Sequence, residues 1–473
     1  VTYDLVIIGM GSAGITAAEF AIDLGLSVAV VERAHVGGDC LWTACVPSKA
    51  LLAAGRAAHA MRTADRWGID PVEPTIDLAR VWRRVRAVQA GIAAGDDDPQ
   101  RFREMGAEVV LGSARLVDGE NVEVTSLDGD VTVLASRFVL VCTGSRPRVP
   151  AIPGLTTDLA ITNERLFALD EPPADVAIIG GGPMGVETAQ ALRRLGVTTT
   201  LFQRAPTLLP RDEPALTARL GDVLRAEGVA VHCTADVRHV EPLSGRRVRV
   251  SAVVGHAGDD VTVEVGGIVV ATGRVPNVAG LGLAEIGVGL SDGGVLVDER
   301  GRTSVRTVYA AGDVTGSRTF SHAAGSAAVQ AVRDMFFPGR FSVDRVLPWC
   351  TFTDPELAHV GLTVAEAEAI HGDDTDVWRA DLDRNDRGRT DDATVGGLVL
   401  VTARGKLVGA HVLAPSAGEM IHELAWAVHR GVRIDELAEL PHVYPTFSSS
   451  IGRLAAEAAN ERVRRLKWMM KRR

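Results

Sequence analysis

A strand, a glycine turn and a helix are written twice in this chain, and that repeat constrains its fold more than any other feature. Residues 4–8, Asp-Leu-Val-Ile-Ile, form a short apolar run that leads into Gly9-Met10-Gly11-Ser12-Ala13-Gly14 and an alanine-rich stretch to about Leu24. A second apolar run, Ser27 to Val31, ends on Glu32, 23 positions after Gly9. Glycines at this spacing permit a tight turn and bring backbone close to a pyrophosphate at a helix N-terminus, while the acid accepts hydrogen bonds from a ribose. The unit recurs as strand Val176 to Ile179, turn Gly180-Gly181-Gly182-Pro183-Met184-Gly185, helix Glu187 to Leu195 and strand Thr198 to Phe202. It arrives at Gln203, again 23 positions beyond the first glycine. Two units predict two nucleotides side by side. In the second the acid is missing and Arg204 follows, so repulsion against a 2′-phosphate is lost and a partner for it gained. Gly180, Gly182, Gly185, Gln203 and Arg204 therefore suit NADPH better than NADH. An Arg204 that is merely an exposed charge is the competing reading.

Just downstream of the first unit lies Gly37-Gly38-Asp39-Cys40-Leu41-Trp42-Thr43-Ala44-Cys45-Val46-Pro47-Ser48-Lys49. Residues five apart on a regular helix are too far separated for a disulfide, so Cys40 is expected in a loop or distorted turn with Cys45 at a helix start. Helix-start amides favour a thiolate there, and such a pair can pass two electrons. Two unrelated structural thiols are the competing reading. A zinc site has less support, because Cys142, Cys233 and Cys350 are scattered and read as small core hydrophobes.

The length, 473 residues, exceeds what one core holds, and the net charge of −10 argues against a general nucleic-acid binder. No apolar run reaches the roughly 18 residues of a membrane span, and no secretory leader is expected. Five cysteines make no secreted disulfide scaffold, which points to a reducing cytoplasm. The last thirteen residues, Glu461 to Arg473, hold seven Lys or Arg against one Glu, with Val463, Leu466, Trp468, Met469 and Met470 among them. They suit peripheral contact with an anionic membrane, or else a solvated terminus.

Helical periodicity marks Ser48 to Arg62 and Asp77 to Ala94, and strands are expected near Glu108 to Leu111 and Asn121 to Thr125. Two matching turns, Thr143-Gly144-Ser145-Arg146-Pro147 and Ala271-Thr272-Gly273-Arg274-Val275-Pro276-Asn277, read as crossings between domains. Val308 to Val314 reads as a buried strand ending on an acid, Asp313, that suits polyol hydroxyls. The expected class is α/β. Two Rossmann-like dinucleotide-binding domains are followed by a C-terminal α+β dimerisation domain, with boundaries at 1–150, 151–275, 276–346 and 347–473.

These motifs together resemble the class I pyridine nucleotide-disulfide oxidoreductases, the family of dihydrolipoamide dehydrogenase, glutathione reductase and mercuric reductase. The carrying marks are the Cys-x4-Cys with Pro47-Ser48-Lys49, the doubled fingerprint, the Ala-Gly-Asp ending at Asp313, and His442-Val443-Tyr444-Pro445-Thr446. The resemblance implies bound FAD, a domain for it in two sequence pieces, an NAD(P) domain between them, and a homodimer whose active site is completed by the neighbouring subunit. It implies that Gly9, Gly11, Gly14, Glu32, Thr143, Gly144 and Asp313 hold FAD, and that Gly273 adds to the NAD(P) site. Lys49 would lie near the flavin paired with Glu187. Cys45 would be the thiol touching the flavin, and Cys40 the outer thiol that meets the acceptor.

Departures from the family pattern bear on the acceptor. Disulfide-reducing members carry His-x-His-Pro-Thr-x-x-Glu, and here Tyr444 replaces the second His and Ser449 the Glu. A phenol is a poor base at neutral pH, so lipoamide or glutathione chemistry is expected to be slow, with His442 as a structural group or a substitute base. An aromatic in that place is similar to mercuric reductases, whose soft-metal acceptor needs thiolates more than a proton shuttle. Yet the sequence ends on Lys467 to Arg473 without their cysteine pair. Trp42 and Asp39 are expected to reshape the acceptor pocket. The leading expectation is a flavin-dependent NAD(P)H oxidoreductase that passes electrons through Cys40–Cys45 to a disulfide or soft electrophile. The alternatives are a quinone-type reductase at a membrane surface and a non-catalytic flavoprotein subunit. No resident metal is expected.

Overall fold

The computed structural model describes residues 2–316, 319–339 and 346–465. The first unit opens with β1 (Thr2–Ile8), α1 (Ser12–Asp23) and β2 (Val28–Glu32). β1 and β2 run parallel, Leu5 opposite Val28 and Ile8 opposite Val31. All four side chains are buried, as a sheet covered on both faces requires of its strands. β3 (Glu108–Leu116) extends the parallel layer beside β2, β5 (Val131–Val141) extends it beside β1, and strand Val308–Ala310 follows β5. The far end of β3 and the start of β5 join β4 (Asn121–Ser126) in an antiparallel meander. Because Val308–Ala310 follows the second unit in sequence, this layer is assembled from two pieces of chain.

The second unit is a parallel sheet in the order Ala230–His232, Thr198–Phe202, Asp175–Ile179, Gly267–Val270, Ala160–Ile161. Its helix spans Pro183–Arg194, four residues earlier than the apolar spacing suggests. Pro183 stands at the first helical position, where its fixed φ helps and its missing N–H costs nothing. Ser145–Pro147 and Arg274–Pro276 pair antiparallel where the chain passes between the units. The C-terminal block is a five-stranded antiparallel sheet built from Trp349–Thr351, Glu356–Gly361, Lys406–Ala414, Gly397–Ala403 and Thr375–Asp381 in that spatial order. Residues of helices Ala417–Arg430 and Ser449–Arg465 pack on it through Leu424, Ile451 and Leu454.

Three helices carry the chain from the first glycine turn toward the second unit: α2 (Gly38–Trp42), α3 (Cys45–Arg62) and α4 (Leu78–Ala93). Asp77 caps α4 by accepting from the Arg80 N–H at 2.8 Å. A Cβ added to Gly55 on α3 would stand 3.3 Å from the Ala191 carbonyl oxygen. The missing side chain thus lets α3 press against helix Pro183–Arg194 and brings the two helices' functional ends together. Among the described residues no helix is long and apolar enough to cross a membrane. The basic tail expected at Glu461–Arg473 lies outside the described residues from Leu466 onward.

Candidate functional site

Each glycine turn is closed by the side chain at the end of its following strand. Glu32 accepts from the Met10 N–H and the Ala34 N–H, both at 2.7 Å. Gln203 does the same work in the second unit, accepting from the Gly181 N–H at 3.1 Å and donating to Thr207 O at 3.2 Å. Gly9 and Gly180 turn at φ +98° and +113°, where a Cβ would run into the Cys142 and Ala271 carbonyls. Gly14 and Gly185 sit against the Gly9 and Gly180 carbonyls, so both helices start hard against their strands.

Gly11 and Gly182 are the N-caps, and neither helix has a side-chain cap. A Cβ on Gly182 would meet nothing within 4 Å, and one on Gly11 only the Gly38 Cα at 3.8 Å. Open space in front of uncapped helix amides fits a pyrophosphate at both places. Arg204, beside Gln203, is exposed.

The crossing strands join Gly144 to Asn277 and Gly273 to Arg148 by backbone hydrogen bonds. Thr143 donates to the Asn277 carbonyl at 2.7 Å, and Ser145 Oγ donates to Asp313 at 2.6 Å. Arg274 donates to Ser145 Oγ at 2.6 Å, lies 3.5 Å from Asp313 and ion-pairs with Asp39. Asp313 opens a 3-10 turn rather than ending a strand, which stops at Ala310.

Cys40 lies in the one-turn helix α2, not in a loop, and Cys45 is the first residue of α3. The break falls at Thr43 and Ala44, with Ala44 at φ −131° and ψ −93°, so one regular helix never spans the two cysteines. Both thiols are free, and each shifts the ionisation of the other. Ser321, the first residue of helix Ser321–Phe336, places its hydroxyl 3.5 Å from Cys45 Sγ. Ser12 of α1 lines one cavity with Cys40. Three helix starts thus converge on the pair.

The Cys45 thiol is pulled down to about 6, first by the hydrogen bond from Cys40 and then by Ser321 and the Lys49 charge, against burial and Glu187. The Cys40 thiol is pushed up as the donor in that bond and by burial. Burial alone raises Cys142, and it is the leading cause for Cys233 and Cys350, which are only partly buried.

Lys49 Nζ stands 2.9 Å from Glu187 Oε2 and 4.4 Å from the centre of the Phe352 ring. The other Glu187 oxygen accepts from the Phe352 N–H at 2.9 Å. Both carboxylate oxygens of this buried acid are therefore satisfied, which offsets the cost of its burial.

A cavity of about 200 Å³ opens beside Cys40, lined by Ser12, Thr16, Leu41, Ile92 and Asp97 among others. Asp39 and Trp42 are not in its wall. They share the opposite side of α2, where Asp39 meets Arg274 and Trp42 donates to Val36 O at 2.8 Å. Spacing three apart on a helix puts them on one face, away from Cys40.

Tyr444 is 72% exposed and donates to Asp386 at 2.9 Å. His442 is held at both nitrogens, by the Leu440 carbonyl at 3.1 Å and Glu423 at 3.1 Å. Ser449 bonds back to the Thr446 carbonyl at 2.7 Å. None of these three touches the cysteines of its own chain. Ser321, Phe352 and Asp97 escape sequence reasoning, since each reaches the site from a distant segment without a motif. Among the described residues no group of three or more His, Cys, Asp or Glu is placed to hold a metal.

Comparison with known proteins gives a consistent result. The family model for pyridine nucleotide-disulphide oxidoreductases matches residues 3–331, and the model for their dimerisation domain matches residues 347–455. A mercuric reductase of Streptomyces lividans is 35% identical over 98% of each chain. A dihydrolipoyl dehydrogenase of Chlorobaculum tepidum is 32% identical over 96% of this chain and 97% of its own. Among solved structures, LpdA of Mycobacterium tuberculosis superposes with a TM-score of 0.87 at 28% identity, over 97% of this chain and 100% of its own. The HOCl-induced flavoprotein disulfide reductase RclA of Escherichia coli gives 0.83 at 26% identity, over 96% and 99%.

Proposed function

Because this chain belongs to the pyridine nucleotide-disulphide oxidoreductase family, we propose that it is an FAD-dependent NAD(P)H oxidoreductase whose electrons leave through Cys40 and Cys45. The observation that carries the reading is the pair of free thiols on either side of the α2–α3 break, with Cys45 pulled down by Cys40, Ser321 and Lys49 beside the Lys49–Glu187 ion pair. FAD, when bound, would take a hydride from the nicotinamide and pass two electrons on to the Cys40–Cys45 disulfide.

The chain's own residues divide the remaining work. Gly9, Gly11 and Gly14 leave the first helix amides open to a pyrophosphate, and Glu32 offers its remaining lone pairs to a ribose. Asp313 and Ser145 present acceptors and a hydroxyl to a polyol, with Thr143 and Gly144 shaping the crossing on which they stand. Lys49 holds positive charge near the reacting centre, and Glu187 fixes its position. Cys45 holds the thiolate, while Cys40 faces the cavity and meets the acceptor. In the second unit Gly180, Gly182, Gly185 and Gly273 admit the other dinucleotide. Gln203 is neutral and Arg204 free to reach solvent, which favours NADPH over NADH.

Domain boundaries at about 150, 275 and 346 follow the crossings and the end of the first family match. The dimerisation-domain match supports a homodimer. Its face is supported by exposed Trp426, Leu440, Val443 and Tyr444, an apolar group that a monomer leaves in water. We place Tyr444 across that interface, toward the partner's acceptor pocket.

The test is Cys40→Ser in the FAD-loaded protein, assayed with NADPH against disulfides, mercuric ion and a quinone. Disulfide and mercuric reduction should fall at least about a hundredfold, as expected when a nucleophile is removed. Full activity toward them would move the chemistry to the flavin alone, as in a quinone-type reductase.

A further inference from the structure

The cavity beside Cys40 differs from an ordinary small-molecule site in size and in charge. At about 200 Å³ it falls below the roughly 300–1,000 Å³ that drug-sized ligands occupy. A short-chain disulfide fits it. Its walls are apolar at Ile15, Leu41, Val46 and Ile92, and among the described residues that line it the one charged side chain is Asp97.

Two more acids stand behind that wall. Asp96 and Glu19 both act on the Asp97 carboxyl, which burial and these neighbours hold above its usual range. The nearby cation, Arg101, is already engaged. It ion-pairs with Glu19 at 2.8 Å, donates to the Asp96 carbonyl at 3.1 Å and lies over the Phe102 ring. A carboxylate entering the cavity meets repulsion without a free partner, while an ammonium group meets attraction.

We propose that this cavity binds the electron acceptor and that Asp97, backed by Asp96, makes it select small cationic disulfides over anionic ones. The inference rests on the dithiol reading above and adds the class of substrate. In the reaction Cys40 passes its proton to Cys45 and its sulfur attacks one sulfur of the acceptor, whose S–S bond breaks, and the first thiol leaves and takes a proton. The Cys45 sulfur then attacks the Cys40 sulfur of the mixed disulfide, the second thiol leaves with the second proton, and the Cys40–Cys45 bond forms. Two electrons have passed from the dithiol to the acceptor. NAD(P)H and one solvent proton restore the dithiol. A cationic acceptor also eases the step chemically, because an ammonium group lowers the leaving thiol's pKa and a better leaving group needs less help from a base.

The experiment compares three disulfides of similar length with NADPH and the FAD-loaded dimer: cystamine, 2-hydroxyethyl disulfide and 3,3′-dithiodipropionate, carrying two positive, no and two negative charges. Dividing each kcat/KM by the same compound's exchange rate with dithiothreitol removes its intrinsic reactivity. Cystamine should lead and dithiodipropionate trail. Asp97→Asn should shrink the ratio between them about three- to tenfold, and Asp96→Asn, at an exposed position that leaves the wall intact, about two- to threefold. Equal or reversed preference, or a ratio unmoved in both variants, overturns the charge assignment and leaves the dithiol reading standing. Reduction of none of the three by protein that gains two thiols with NADPH overturns the cavity as acceptor site. No gain of thiols overturns the dithiol reading and this inference with it.

Discussion

At the scale of single residues, the two nucleotide units differ where their chemistry must differ. Glu32 and Gln203 occupy the same place and each ties down its glycine turn, so the substitution keeps the fold while removing a negative charge from the second site. Arg204 is exposed beside it and can reach a 2′-phosphate through a charge-assisted pair. Arg204→Ala should lower kcat/KM for NADPH about tenfold or more and leave NADH within about twofold. Steady-state kinetics with both nucleotides check this, and an equal loss for both would remove Arg204 from the recognition of phosphate. The glycine spacing and the residue at position 203 were legible in the sequence because they obey a local rule. The Asp97 wall and the Ser321 hydroxyl were not, since they depend on how α4 and a helix more than 200 residues away pack around α2 and α3.

At the scale of elements, the C-terminal sheet carries a second titrating group remote from any motif. Strands Glu356–Gly361 and Lys406–Ala414 pair with His359 opposite His411. Both rings are buried, each bonds a backbone carbonyl through Nε2, and each leaves Nδ1 without a partner among the described residues. Burial holds His359 at about 3 and His411 at about 4, with His411 adding to the depression of His359.

The unfolded chain binds protons on these imidazoles near 6.5, where the folded one does not. Their contribution to stability is therefore fully present above about 6.5 and is lost as pH falls toward 4 to 3. The slope is about 1.4 kcal/mol per pH unit for each ring. Thermal unfolding between pH 7 and 4 should show this decline, and His359→Gln with His411→Gln should flatten it. A slope unchanged in the double variant would mean that carboxylates set the acid limit. Element positions themselves were largely legible: Thr198–Phe202 and Gly267–Val270 fall where apolar runs and turn residues put them. The early start at Pro183 and the helical setting of Cys40 were not, because capping and packing decide helix ends more than periodicity does.

At the scale of the whole molecule, two dinucleotide units and a dimerisation block are joined so that the thiol pair lies where helices from three segments begin. The acid/base group that the family pattern places in the partner subunit is here Tyr444, exposed and bonded to Asp386, while both His442 nitrogens are engaged by Glu423 and Leu440. Asp386 raises the Tyr444 phenol above its ordinary value, further from a useful base. Tyr444→His with Ser449→Glu should therefore raise lipoamide or glutathione disulfide turnover about tenfold or more. Wild-type turnover at ordinary enzyme rates, unchanged in the double variant, would show that another group already holds the proton. The family and the overall order of domains were legible in the sequence, because the doubled fingerprint and the Cys-x4-Cys are local. The acceptor was not, since the cavity proposed to receive it is assembled from α1, α2, α3, α4 and the turn after α4.

Anaerobic reduction of the FAD-loaded protein with one equivalent of NADPH tests the central claim most directly, with thiols counted and the visible spectrum recorded. Two new thiols per chain are expected, with a long-wavelength absorption from the Cys45 thiolate against FAD. That absorption should fade as pH drops below about 6 and be absent in Cys45→Ser. Reduction with no gain of thiols, or with the absorption intact in Cys45→Ser, would contradict it.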